Sequence, residues 1–385
     1  MKHLLFFLIV FLPVFSMQAQ WQKTTYTGYV NAIAVTGNNI FAATNDGIFR
    51  SQDNGGSWIG KNDGITFPYP LSLGINGSDI YVGSYEIYIS HNMGDIWTPD
   101  GFSGTFIISF AFEGNNVFAG TDGSGLFLTQ NNGSTWNQLQ NGLPTTTVKA
   151  LAISGNNIFA GTYYGMFRSQ DNGSSWVPLN NGFPVIPVNT LLIRGNRIYA
   201  GTYYGGFVYL STDNGGSWVV SNIGLPPNTD VNSFVSIGTA ILAGTGNSVV
   251  VSADSGYTWS PFTEGMPPEI NVLTLAVNDH YVLAGTDNGI WRYPLSTFGI
   301  DGKNSGGPFS VYPNPANDKV SVLISDKPVN IVSVSILNNK GQQVLYSTHT
   351  IKVPIVLDIK NYPKGIYLLK IQSETNIETR KLVIQ

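Results

Sequence analysis

Six eight-residue segments recur along the chain: SQDNGGSW ending at Trp58, SHNMGDIW at Trp97, TQNNGSTW at Trp136, SQDNGSSW at Trp176, STDNGGSW at Trp218 and SADSGYTW at Trp259. Successive tryptophans lie 39, 39, 40, 42 and 41 residues apart. A period near 40 residues is the length of one four-stranded propeller blade, a unit that buries its apolar faces only by stacking on neighbours. Each unit repeats one grammar. An inner strand (30–35, 148–153, 188–193) leads through a Gly-Asn type turn to a second strand (157–162, 197–202). A third strand (165–169) runs into the box turn, and the box tryptophan opens a fourth, outer strand. Apolar and polar residues alternate within these runs, as strands require.

Six boxes do not mean six blades. After Trp259 an inner strand (271–277) is followed by strands at 281–286 and 289–295, with no box and no outer strand. The missing piece is near the start of the chain, where WQKTTY (21–26) reads like the outer strand that follows each other box. The sequence therefore predicts an all-β chain with a seven-bladed propeller. Its last blade takes three strands from the end of the ring and one from the start, which leaves only short, protected edges.

Composition agrees. Glycine is abundant (44 residues) and only 11% of residues are charged, which suits short strands and tight turns, and no helical periodicity persists after the first residues. A net charge of −4, with no cluster of basic and aromatic residues, argues against a nucleic-acid partner. The absence of cysteine excludes disulfides, thiolate metal sites and a cysteine nucleophile. His3, His91, His280 and His349 are scattered, so neither a metal site nor a cofactor is expected. Residues 1–19 read as a secretory signal: Lys2 and His3 precede an apolar run (4–15) and a small, polar segment ending at Ala19. The apolar run is shorter than the ~20 residues of a membrane span, and no later segment could cross a bilayer as a helix.

The eight-residue segments resemble the Asp-box, or bacterial neuraminidase repeat, of sialidases, xyloglucan-degrading glycosidases, the sortilin ectodomain and photosystem-assembly propellers. Their chemistry is explicable without a ligand. An Asp or Asn side chain can bind backbone amides two residues on, the following glycine accepts positive φ, and the tryptophan buries its ring between blades. Asp53, Asp171, Asp213 and Asp254 are accordingly expected to be structural, and Asn92 and Asn131 take their place in two boxes.

The grammar changes after residue 299. Residues 300–308 read as a linker and 309–385 as a small Ig-like β-sandwich, leaving 20–299 for the propeller. The tail carries YPNPAND (312–318), an NxxGQxV stretch (338–344), LDI with PKGIYLLKI (357–371) and a terminal KLVIQ. These phrases resemble the type A C-terminal sorting domain of type IX secretion in Bacteroidota. The resemblance implies a Sec-dependent first step, engagement of the type IX machinery by 309–385, and release or attachment at the outer cell surface. Charge follows the division: residues 21–298 hold 8 basic and 17 acidic side chains, and residues 305–385 hold 9 and 5.

A propeller binds ligands where loops converge on the channel. The turns between second and third strands lie opposite the box turns. They present Asp46, Tyr85 with Glu86, Asp122, Tyr163 with Tyr164, Tyr203 with Tyr204, and Asp287. Tyrosine faces beside polar groups suit sugar rings, although Asp and Asn are also ordinary turn residues. Asn31, Lys149, Asn189, Asn232 and Asn271, at the starts of inner strands, form a second candidate set near the channel mouth. Sialidase chemistry needs an arginine triad, and Arg50, Arg168, Arg194, Arg197 and Arg292 do not supply that pattern. The favoured expectation is a non-enzymatic propeller that binds a glycan or a surface protein. A glycoside hydrolase or lyase using channel-face carboxylates is the alternative, and an envelope-assembly scaffold a third.

Overall fold

The computed structural model describes residues 20–295 apart from 145, 204, 206 and 239, and residues 309–384 apart from 313–315, 317, 325–330, 339–340, 349–354 and 374–376. The expected export signal, the linker and Tyr204 lie outside the described residues.

Seven four-stranded antiparallel sheets form the blades. The inner strands are Val30–Thr36, Ser72–Asn76, Ile107–Glu113, Val148–Ser154, Val188–Arg194, Val231–Ile237 and Val272–Val277, numbered here as blades 1 to 7. Each packs against its two neighbours, and the first packs against the last, so the ring is closed. In blade 7, strands Val272–Val277, Tyr281–Thr286 and Gly289–Pro294 are completed by Gln22–Lys23, with Gln22 opposite Arg292 and Lys23 opposite Trp291. This is the closure the repeat count predicts.

The box turns show why the motif has its composition. In blade 1, Asp53 accepts hydrogen bonds from the Ser57 amide (2.8 Å) and hydroxyl (2.7 Å), and the Ser51 hydroxyl accepts from the Gly55 amide (2.9 Å). The carboxylate thus binds the amide four residues on, not two as expected. Two successive left-handed residues, Asn54 (φ 58°) and Gly55 (φ 82°), bend the chain enough to bring that later amide round. Asp213 and Asp254 repeat the pattern, and Asn92 and Asn131 bind the equivalent amide at 3.0 Å. The Ser57 amide and hydroxyl hold Asp53 down to about 2, and the Ser217 hydroxyl and amide do the same for Asp213. These carboxylates are turn locks.

Each tryptophan joins two blades. Trp97 packs with Phe41 and Ile48 of blade 1 and with Ile80 and Tyr88 of blade 2. Its amide donates to Asp63 O (2.8 Å) and its indole to Lys61 O (2.9 Å), both on the link from blade 1. Gly64 on that link has φ 94°, and a Cβ there would sit 2.0 Å from Trp97 O, so only glycine permits the approach. Trp21 makes the same contacts one blade from the end: its amide donates to Glu264 O (2.8 Å), its indole to Phe262 O (2.8 Å), and Gly265 lies beneath it. The closing strand therefore brings a seventh tryptophan to a site built for one.

Third-strand arginines add a second latch on the box face. Arg50 donates to Met93 O (2.6 Å), Arg168 to Asn214 O (3.2 Å) and Arg292 to Asn54 O (2.9 Å), each across to the next blade's box. In blade 3 the Trp136 indole instead donates to Asp100 (3.2 Å). Burial pushes the Asp100 carboxyl up to about 6, against the opposing hydrogen bonds from Phe102 and Trp136.

The tail is a two-sheet sandwich. Three strands (Phe309–Tyr312, Lys319–Ile324, Ile355–Asp358) face four, ordered Gln343–Thr348, Ile331–Leu337, Gly365–Ser373, Ile377–Ile384. Its core includes Val320, Val334, Ile336, Leu369, Ile371 and Leu382, from alternate positions on both sheets.

Trp21→Ala is expected to cost ~3–5 kcal/mol, the usual range for a buried tryptophan, and to lower the propeller melting temperature sharply. Deleting residues 21–27 is expected to lower it further; an unchanged value in thermal unfolding would refute the closure. Asp100 gives a pH signature. Its folded value of about 6 exceeds the unfolded value of ~3.9, so its contribution falls as pH rises between ~4 and ~6. Asp100→Asn removes the titrating group but keeps only one of the two acceptor oxygens, so it is expected to flatten the change in melting temperature between pH ~4 and ~8 relative to the wild type.

Candidate functional site

The face opposite the boxes is built by one recurring turn. Each second strand ends in a buried threonine, or Ser84 in blade 2, whose hydroxyl closes the turn to the third strand. Thr44 donates to Gly47 O (2.8 Å) and accepts from the Asp46 amide (3.1 Å), and Thr286 closes on Gly289 O (2.8 Å) in the same way. Further bonds tie these turns to the links entering each blade: Asn45 to Tyr29 O, Tyr163 to Thr147 O and Asp287 to Asn271 O. The turns at the channel mouth are thus tied both within and between blades.

Below this rim, in six of seven blades, the inner strand opens with a β-bulge. The bulged residue opposes no ladder partner and is re-aimed toward the axis. With Leu71 of blade 2, these residues form a ring: Asn31, Leu71, Ile108, Lys149, Asn189, Asn232 and Leu273. All seven line one cavity of about 500 Å³ on the propeller axis. Asn271 does not belong to the ring as expected. Val272 pairs with Thr286 and Thr274 with Gly285, which makes Leu273 the bulged residue and puts Asn271 one step outside. Asn271 instead accepts from Asn232 (3.1 Å), and Asn189 donates to Asn232 (3.4 Å). Asn31 donates to Asn45 (3.2 Å) on the rim and to Pro70 O (3.0 Å). The ring therefore has an amide arc with Lys149 at one end and an apolar arc at Leu71 and Ile108.

Lys149 connects ring and rim. Its side chain is reached by solvent from the channel, and its Nζ stands 5.7 Å from the centre of the Tyr203 ring. The walls around it partly desolvate the ammonium, and this lowers its pKa despite the opposing pull of Asp230 and Asp122.

The carboxylates of the face are dispersed. Asp46 accepts from the Tyr26 hydroxyl (3.1 Å), Glu86 from Tyr88 (2.6 Å) and Asp122 from Thr147 (2.8 Å), each in its own blade or link. Burial, with Asp46 beside it, pushes Tyr26 up to about 12, and burial raises Tyr29 with a smaller contribution from Asp287. Among the described residues no carboxylate lines the cavity and no His, Cys, Asp and Glu cluster could hold a metal ion.

Aromatic rings cover the rim. Tyr163 (49% exposed) and Tyr164 (52%) meet edge to face, 6.1 Å apart, and Tyr203 is half-buried. A larger group lies across blades 2 and 3, where Phe67 meets Tyr69, Tyr85 and Phe106, and Tyr85 meets Phe106, in tilted or edge-to-face contacts at 5.4–6.3 Å. Only Tyr85 of this group lies on a turn within a blade, where the repeat pattern points to a candidate site; the other three lie outside the repeated turns. Phe67, Tyr69 and Phe106 lie on links that open on the same face; the FPYP segment (67–70) is the signal for it. Tyr88 holds that segment: its hydroxyl donates to Glu86 and accepts from the Thr66 hydroxyl (2.7 Å) and the Phe67 amide (3.1 Å).

Residues 310–385 match the secretion system C-terminal sorting domain family. A tail of this family supports export by type IX secretion and localisation at the cell surface. No curated protein matches the sequence. Among solved structures, the chain is similar to the extracellular domain of BT4673 from B. thetaiotaomicron (TM-score 0.62, 17% identity, 94% of this chain and 52% of that one). It is also similar to PorZ, a surface component of the type IX secretion system of Porphyromonas gingivalis (TM-score 0.60, 13%, 93% and 59%). YCF48 from Cyanidioschyzon merolae aligns over its whole length (TM-score 0.57, 13%, 72% and 100%). The chain thus spans between half and three-fifths of the first two, and at these identities the likeness establishes the propeller fold alone.

Tyr88→Phe removes a hydroxyl with three partners and is expected to cost ~1–3 kcal/mol. Hydrogen exchange is expected to quicken at residues 65–70 while the box face stays unchanged.

Proposed function

We propose that this chain is an exported, surface-displayed propeller of the Asp-box type that binds a glycan at its channel mouth without turning it over. One observation carries the reading: exposed aromatic rings flank, on one side, a cavity whose wall combines asparagine amides, Lys149 and small polar residues with aliphatic side chains, with no carboxylate in that wall among the described residues. Flat rings offer the apolar faces of sugars a stacking surface, and amides both donate to and accept from hydroxyls. A glycoside hydrolase needs two carboxylates about 5–5.5 Å apart for retention or ~6.5–9.5 Å for inversion. Here Asp46, Glu86 and Asp122 each take a hydrogen bond from a neighbouring Tyr or Thr hydroxyl, which favours structural roles for them.

A glycan array and a reducing-sugar release assay on the secreted protein test this reading together. Binding is expected without release of reducing ends. Tyr163→Ala and Tyr203→Ala are each expected to weaken binding about tenfold, a loss of ~1.4 kcal/mol. Turnover that disappears in Asp46→Asn or Glu86→Gln would overturn the proposal in favour of a hydrolase or lyase.

A further inference from the structure

We infer that the glycan is an acidic one, seated with a sugar carboxylate on Lys149; this rests on the glycan-binding reading above. Lys149 is the one ionisable side chain in the cavity wall among the described residues. It projects from a bulge, between the amide of Asn189 on one side and Ile108 of the apolar arc on the other. Among the described residues no carboxylate lies within ion-pair distance of its ammonium and no acceptor takes its hydrogens. The nearby Asp122 carboxylate is engaged by Thr147. The Tyr203 ring steadies the charge at the mouth but accepts no ordinary hydrogen bond. An ammonium carries three donors, and a concave wall limits how well water can serve them.

A uronate ring matches this arrangement in three respects. Its carboxylate meets the free ammonium, its hydroxyls meet the amide arc, and its C–H face meets Leu71 and Ile108. The cavity of about 500 Å³ has room for one such ring together with its neighbour. A peptide carboxyl terminus offers the same anion, but its remaining amides require a strand edge or a row of backbone partners. The turns at this rim have already used theirs on Thr44, Thr286 and the interblade links.

Calorimetric titration of the secreted protein with galacturonate, glucuronate and mannuronate oligomers, each beside its methyl ester and a neutral oligosaccharide, tests the assignment. At least one acid is expected to bind about tenfold or more tightly than its ester, as a charge-assisted contact gives, and the preference is expected to shrink with salt. Lys149→Met is expected to bring acid and ester to equal affinity with the melting temperature unchanged, and Lys149→Arg to retain the preference. Equal binding of acids, esters and neutral sugars by the wild type would overturn the carboxylate assignment and leave the glycan reading standing. Binding of no glycan at all would overturn that reading as well. So would Lys149-dependent capture of a peptide with a free carboxyl terminus in place of every sugar.

Discussion

A ring of seven blades has no fixed shape until its first and last strands meet, and here the join consists of two residue pairs, Gln22 with Arg292 and Lys23 with Trp291. So short a ladder contributes little by itself. Its strength comes from what the strand brings with it. Trp21 fills the apolar space between blades 6 and 7, among Leu242, Val251, Val282 and Trp291, and its indole and amide satisfy two carbonyls of the preceding link. Arg292 then reaches across the join to Asn54 O in the first box. The closure is therefore a core contact and a polar latch as much as a strand pair, and the channel exists only because it holds.

The channel mouth inherits its geometry from that closure. The inner strands surround one cavity, and the bulge at the head of six of them aims one side chain into it. A regular strand would have sent that residue along the interface with the neighbouring blade. The repeat thus produces a ring of seven positions that packing within the blades does not dictate. They hold three asparagines, a lysine and three aliphatic residues. Variation among otherwise equivalent units is where a repeat protein can acquire selectivity, and this ring is such a place.

Much of this architecture is legible in the sequence because it repeats. The tryptophan spacing sets the blade length, and the leftover strand at residues 21–26 supplies the missing edge. Alternation within strands cannot reveal a bulge, however, since one extra residue shifts the pattern without changing its composition. That is why Asn271 reads as the counterpart of Asn31 when the register gives that place to Leu273. The amide partner of the box carboxylate is misread for a related reason: two left-handed residues in succession bring residue 57, not 55, to Asp53. Phe67, Tyr69 and Phe106 escape because the links between blades vary in length and sequence, so no repeat aligns them.

The two faces divide the chemistry of the chain. On the box face, Asp53, Asp213 and Asp254 accept several hydrogen bonds within a few residues, and the arginines reach across to the next blade, so charge there is spent on holding the turns. At the mouth, buried threonine hydroxyls do that work with no net charge. The mouth is thereby left with a fixed frame, exposed tyrosines and one ammonium without an acceptor among the described residues. A preformed frame lowers the ordering cost of association, and the half-buried ring of Tyr203 stands 5.7 Å from the ammonium. Affinity at such a site depends on how much of an incoming ring the aromatics cover, and selectivity on what it presents to Lys149.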